Sequence, residues 1–223
     1  VVNSHTKGST SVIAEVKHKS PSAGNIREGF DPVAIAKAYE KAGAAAISCL
    51  TDMHFFGGNI NFITQIREEV RLPVLRKDFI IDEYQIWEAR AAGADAVLLI
   101  SEVLSEGQLV DYMILSQKLG MTTLVEAHDM GNLLKIQQYV GFPHAGYCLL
   151  GINNRNLETM ETDINHTIRM VDIVEDTTTI VSESGITKPE DLDKLRLHGV
   201  HIVLVGESLM KQPDPGKALA KLI

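Results

Sequence analysis

Eight short apolar runs alternate with eight helical patterns along 223 residues, no linker or composition break separates them, and polar residues gather at one end of the runs. These three observations predict an α/β fold, a single-domain (β/α)8 TIM barrel over residues 1–223. Alternating βα units build a parallel sheet, and eight units at this length close into a barrel. The competing architecture is an open doubly wound sheet. It favours a glycine-rich loop after the first strand, and Ser20-Pro21-Ser22 is not GxGxxG.

The first strand, Val12–Val16, opens the stretch VIAEVKHKSPSAG. Alternate strand residues share a face, so Val12, Ala14 and Val16 call for a helix above them. Glu15 and Lys17 share the other face, and Lys19 continues the spacing of two. Ser20-Pro21-Ser22-Ala23-Gly24 ends the strand with turn residues. The order then runs helix Pro32–Ala42, strand Ala45–Leu50, helix Ile60–Val70, strand Pro73–Leu75, helix Glu83–Ala92, strand Ala96–Ile100 and helix Ser105–Leu119. It continues with strand Thr122–Val125, helix Met130–Tyr139, strand Tyr147–Ile152, helix Ile164–Val174, strand Thr179–Val181, helix Pro189–Leu197, strand His201–Val205 and helix Pro215–Leu222. The strands are too continuously apolar to be half exposed and read as covered on both faces. Asp31-Pro32, Lys188-Pro189 and Asp214-Pro215 place proline in the first helical turn. Gly43, Gly93, Gly120 and Gly199 stand where helix C-caps belong.

A net charge of −8 argues against a nucleic-acid or membrane-surface partner. An anionic small molecule needs only a local positive site. Cys49 and Cys148 lie in apolar runs and read as reduced core thiols, consistent with a cytoplasmic protein. No apolar run approaches the ~20 residues of a membrane span. Val1–Ser11 is polar, carries no signal-peptide core and starts without Met, as a processed or trimmed chain does. A monomer or weak homo-oligomer is expected.

In a barrel the chemistry belongs at the C-terminal strand ends. There the sequence places Glu15, Lys17 and Ser20, Arg76-Lys77-Asp78-Phe79, Glu126, Asn153-Asn154-Arg155-Asn156, Ser182-Glu183-Ser184-Gly185 and Gly206-Glu207-Ser208. The last two groups are small and rich in backbone NH. Loops after strands seven and eight often hold phosphate, though plain turn glycines are the simpler reading of either glycine alone. Glu207 is awkward there unless its carboxylate turns outward. Glu15, Lys17, Lys77, Glu126 and Asn153 mix acids and bases in one mouth. A structural ion pair is the plain alternative for Glu15 and Lys17. Burial lowers a lysine pKa and raises a carboxyl pKa, while opposite charges restrain both. Such a set can supply a general acid and a general base. Phe55, Phe56, Phe79 and Leu98 can line an aromatic-sized pocket, with core packing the alternative for Leu98. His128 follows Glu126 at two residues, a spacing that allows it to face inward, but it reads rather as a loop or capping residue. The histidines show no metal-ligand spacing, so no metal is expected.

Taken together, IAEVKHKSPSAG, LPVLRKDFIIDEYQIWEARAAGADAVLLI, LVEAHD, GINNRNLET, VSESGI and LVGESLMKQPDP resemble the indole-3-glycerol phosphate synthases, and they do so in order over nearly all the chain from Val12 onward. The resemblance implies a cofactor-independent barrel of tryptophan biosynthesis. Such an enzyme, a carboxy-lyase, turns 1-(2-carboxyphenylamino)-1-deoxyribulose 5-phosphate into indole-3-glycerol phosphate by ring closure, decarboxylation and dehydration. It implies Lys77 as general acid, Glu126 as the carboxyl tied to dehydration and Glu15 as the first-strand catalytic carboxylate. It places Lys17 near the substrate carboxylate or phosphate, and has Asn153 and Glu183 orient substrate and lysine. Ser20, Arg155, Ser184, Gly185, Gly206 and Glu207 match phosphate-contacting positions, and Phe56, Phe79 and Leu98 match the wall around the anthranilate ring.

The chain departs from the pattern in two places. Only Val1–Ser11 precedes strand one, so the family's helical N-terminal extension is expected to be largely missing, and TDMHFFGG carries His54 where relatives often have lysine. Two alternatives follow. One is another phosphate-binding barrel, such as the isomerase of the same pathway, for which Cys49 and Cys148 are poorly placed. The other is a barrel impaired by the loss of its N-terminal cap.

Overall fold

A computed structural model of the chain describes residues 9–21, 24–139, 148–156, 159–174 and 176–223. Residues 1–8 of the expected N-terminal extension, Ser22 and Ala23 of the first turn, Tyr147, and Leu157 and Glu158 lie outside the described residues. The barrel strands are β1 (Ser11–Val16), β2 (Ala46–Leu50), β3 (Val74–Lys77), β4 (Ala96–Ile100), β5 (Thr122–Ala127), β6 (Cys148–Asn153), β7 (Ile180–Glu183) and β8 (Ile202–Val205). Consecutive strands pair in parallel, and β1 pairs with both β2 and β8, closing the predicted eight-stranded barrel. Around it lie α1 (Pro32–Lys41), α2 (Asn61–Glu69), α3 (Glu83–Ala92), α4 (Glu106–Lys118), α5 (Met130–Ile136), α6 (Asn165–Val171), α7 (Pro189–Leu197) and α8 (Pro215–Leu222).

Strand alternation divides the apolar residues between two cores. Ile13, Leu75, Leu98, Leu124, Leu149, Val181 and Leu204 point inward and fill the barrel. Val12, Ala14 and Val16 point outward into a larger core shared with the helices, as do Cys49 and Cys148. The two thiols are free and buried, and burial pushes them up to about 12 and about 11. The caps follow the sequence closely. Asp31 accepts from Val33 N and Ala34 N, Asp214 accepts from Lys217 N, and Gly43, Gly93, Gly120 and Gly199 all take positive φ, where a Cβ would be strained.

The boundaries differ from expectation where they matter most. β3, β5 and β7 run on to Lys77, Ala127 and Glu183, beyond the apolar runs that announced them. A strand goes on pairing after its side chains turn polar, so apolarity marks where the core ends and not where the strand ends. Lys19 is not on β1. It starts a short antiparallel pairing, Lys19 opposite Asn25 and Ser20 opposite Gly24. One-turn helices at Met53–Phe56 and Glu207–Met210 were also not anticipated. Among the described residues no helix is long and apolar enough to cross a membrane. Leu99 is fully buried on the outward face of β4. Leu99→Ala should cost about 2–5 kcal/mol in chemical denaturation, and a loss below 1 kcal/mol would show that this layer repacks freely.

Candidate active site

The strands end in a cavity of about 540 Å³. Every residue to which the family resemblance gave a role lines it, while Arg76, Asn154, Asn156 and Ser182 of the same strand ends are not part of the lining; the inward positions of the strands explain the difference. Glu15 lies two residues beyond Ile13, Lys77 two beyond Leu75, Glu126 two beyond Leu124 and Glu183 two beyond Val181, so each stands one layer above an inward apolar side chain. Leu98 belongs to that apolar layer and also forms the floor of the cavity, so both sequence readings of it hold. Arg76, adjacent to Lys77, points the opposite way. It bonds Asp78 at 3.0 Å and the Gln85 carbonyl at 2.7 Å, and it ties β3 to α3.

The centre of the site is Lys77 Nζ, 2.8 Å from Glu126 Oε2 and 2.7 Å from Glu183 Oε2. Asn153 Nδ2 donates to Glu126 Oε1 at 3.1 Å. Beside this group Lys17 Nζ meets Glu15 Oε1 at 2.7 Å. Burial works against the Lys77 ammonium, but the charges of Glu126, Glu183 and Glu15 outweigh it and raise the pKa above the lysine range. Burial likewise works against the Glu126 carboxylate, and Lys77 and His128 overcome it, holding that carboxyl well below its usual range. Glu183 goes the other way. Burial and the neighbouring Glu126 charge push it up to about 8 despite Lys77. In the sequence reading opposite charges restrain the effect of burial on the lysine; here the nearby acidic groups more than offset it.

Two glycines make room for this crowd. A Cβ on Gly151 would sit 2.4 Å from Glu183 Oε1, and one on Gly206 would sit 2.4 Å from Glu15 Oε1. Gly206 thus has a packing role in addition to its place in the last loop. Ser184 and Gly185 have φ values of 68° and 78°. The left-handed conformation is unusual for serine, and Asn154 Nδ2 holds the Ser184 carbonyl at 3.1 Å. Glu207 does not turn away from this end of the cavity. Its carboxylate accepts from Arg155 Nη2 at 2.8 Å and from Lys211 Nζ at 2.6 Å, and the two cations keep its pKa low against the effect of burial. Ser20 is buried at the rim. Phe79 lies 6.0 Å from Phe55 and 6.3 Å from Phe56, ring centre to ring centre, and this half-exposed aromatic group forms one wall.

Sequence reasoning passed over Glu102 and Lys211, which line the cavity, and set His128 aside. Glu102 lies two residues beyond Ile100, and the strand-end rule applied to β4 would have found it. Lys211 is four residues after Glu207, one helical turn. His128 is the expected loop residue, between β5 and α5, but its ring also reaches into the site and lies between Glu102 and Glu126. Among the described residues, no three His, Cys, Asp or Glu side chains are arranged to hold a metal ion.

The family model described as indole-3-glycerol phosphate synthase matches residues 1–222. A protein of that name from Rhodopirellula baltica is 49% identical over 203 residues, 91% of this chain and 76% of its own. One from Neisseria gonorrhoeae is 48% identical over 218 residues, 98% and 81% of the two chains. One from Carboxydothermus hydrogenoformans is 44% identical over 224 residues, 100% and 83%. Among solved structures, 3-hexulose-6-phosphate synthase from Salmonella typhimurium superposes with a TM-score of 0.73 at 16% identity, over 95% of this chain and 96% of that one, a likeness of fold alone.

The tight fit at Gly151 is directly testable. Gly151→Ala should force the Glu183 carboxylate away from Lys77 and destabilise the protein by about 1–3 kcal/mol. A thermal midpoint equal to that of the parent would show that the carboxylate has room to move.

Proposed function

The chain belongs to the indole-3-glycerol phosphate synthase family, its function is indole-3-glycerol phosphate synthesis, and from that premise we propose how the cavity performs the reaction. The substrate is 1-(2-carboxyphenylamino)-1-deoxyribulose 5-phosphate, and the class is carboxy-lyase. The substrate carries a carboxylate at one end and a phosphate at the other, so the cavity must offer cations to both. Lys17 faces the carboxylate. Arg155, with the backbone of Ser184, Gly185, Gly206 and Glu207 and the Ser20 hydroxyl, takes the phosphate, and a planar guanidinium suits its oxygens. Phe56, Phe79 and Leu98 flank the aromatic ring.

Lys77 acts as the general acid. The ring carbon that bears the carboxylate attacks the ribulose C2 carbonyl, and Lys77 delivers a proton to the carbonyl oxygen as it becomes a hydroxyl. The carboxylate leaves as carbon dioxide, and its bonding electrons restore the aromatic ring. The hydroxyl then leaves as water, taking a second proton from Lys77 after solvent has reprotonated it, while Glu126, ionised, removes a proton from C1. Two protons go to oxygen and one returns from carbon, and the charge of the lost carboxylate accounts for the difference. Glu15 fixes Lys17, Glu183 orients Lys77, and Asn153 orients Glu126. The observation that carries this reading is the Lys77 ammonium held within 2.8 Å of Glu126 and Glu183 on the cavity wall.

Indole fluorescence on addition of the substrate reads the activity. Lys77→Ala should reduce kcat by about 10²–10⁴-fold with the fold intact by circular dichroism, and a loss of less than tenfold would defeat the assignment. Arg155→Ala should raise KM for the phosphate-bearing substrate with kcat nearly unchanged. A change confined to kcat would remove Arg155 from phosphate binding.

A further inference from the structure

Two carboxylates share one ammonium. Lys77 Nζ is equally close to Glu126 and Glu183, and both carboxylates are buried, so neither the lysine nor the burial tells them apart. A site that must both take and supply protons needs them to differ. The difference lies on their second oxygens. Glu126 Oε1 accepts from Asn153 at 3.1 Å and has His128 Nε2 at 3.1 Å, an ion-pair contact. Glu183 Oε1 is buried, makes no hydrogen bond, and faces the space left by Gly151.

His128 is itself held from several sides. Its Nδ1 lies 3.2 Å from Glu102 Oε2, and its backbone N donates to Glu102 Oε1 at 2.9 Å. Its carbonyl meets His166 Nε2 at 2.9 Å. The groups facing the ring are thus Glu102 from the loop after β4 and Glu126 from β5, while His166 from α6 reaches only the backbone. Lys77, Glu183 and Asn153 face Glu126 from β3, β7 and β6.

We propose that the Glu102–His128 pair assigns the two roles: His128 is a positioning residue that keeps Glu126 the anion and leaves Glu183 the protonated partner. The proposal rests on the reading of Glu126 as the proton acceptor. When Lys77 gives its proton to the substrate it becomes neutral, and Glu126 loses its nearest counter-charge. A buried carboxylate without one rises by several pKa units and would take up a proton before the substrate could supply it. His128 touches no atom of Lys77 and keeps its charge through that step, because Glu102 and Glu126 flank it. Burial alone would neutralise the ring, but these two carboxylates push it up to about 10. Among the described residues Glu183 meets no cation besides Lys77, and the shared lysine alone does not keep it ionised.

The test uses His128→Gln, Glu102→Gln and the parent protein. The glutamate carboxyls are first titrated by carbon-13 NMR in the absence of substrate, with Glu183→Gln for assignment. In the parent, Glu126 should remain ionised from pH 4 to 10 and Glu183 should titrate near pH 8. In His128→Gln the Glu126 carboxyl should titrate inside that window, where the parent's does not, and an acid limb absent from the parent's kcat–pH profile should appear with it while KM changes little. Glu102→Gln should shift both in the same direction by less, and it carries the test if His128→Gln does not fold. Parent-like titration and pH profile in both variants would overturn the proposal, as would a uniform loss of kcat at every pH. A shifted carboxyl titration in a protein that forms no indole would leave the positioning role standing and remove the assigned reaction instead.

Discussion

A buried ammonium between two buried carboxylates is the interaction around which the mouth of this barrel is built. Lys77 cannot be withdrawn from Glu126 and Glu183 without leaving uncompensated charge in the interior, which costs more than the pair itself contributes. The barrel meets that demand with geometry. Three strands present inward positions at the same height, and the parallel register brings them together: Asn153 lies opposite Glu183 across β6 and β7, and Ile100 lies opposite Glu126 across β4 and β5. The closed sheet holds these groups apart from solvent and at fixed separation, so their charges act strongly on one another.

Small residues complete the constraint. Gly151 and Gly206 stand at inward positions where any side chain would collide with Glu183 or Glu15. Their absent side chains are what allow four charged groups to occupy the layer above the apolar core. At the other end of the cavity, Ser184 and Gly185 bend the chain through positive φ, and Asn154 fastens the bend by bonding the Ser184 carbonyl while its own carbonyl accepts from Thr167. A loop of this kind presents backbone NH groups where an anion can meet them. Arg155, Glu207 and Lys211 form a compact cation–anion–cation row beside it, so the positive charge at this end is partly neutralised by the protein's own carboxylate.

The division of labour among identical functional groups comes from the next ring of contacts. Glu126 and Glu183 have the same chemistry, similar burial and the same lysine, yet one is held ionised and the other is pushed toward protonation. Their neighbours differ, His128 and Asn153 for the first and Gly151 for the second, and the proposed assignment of roles rests on that difference. This is a general way for a site to obtain an acid and a base from two like groups.

Much of this was readable from the sequence. Strand–helix alternation and continuous apolar runs determine a parallel sheet covered on both faces, and eight units without a glycine-rich loop after the first strand favour its closure into a barrel. The period of two determines which residues of VIAEV face helices and which face the mouth, and the strand-end rule collects Glu15, Lys77, Glu126, Asn153, Arg155 and Glu183 from distant segments. Tertiary structure alone decided who meets whom. No spacing reveals that Lys77 lies between Glu126 and Glu183, 49 and 106 residues away in the chain, or that Glu102 reaches His128. It also decided the charge states, which follow from distances of about 3 Å and from burial that depends on every surrounding strand. A one-dimensional pattern records which face a side chain takes, whereas an electrostatic environment is a sum over neighbours that only the closed barrel brings together.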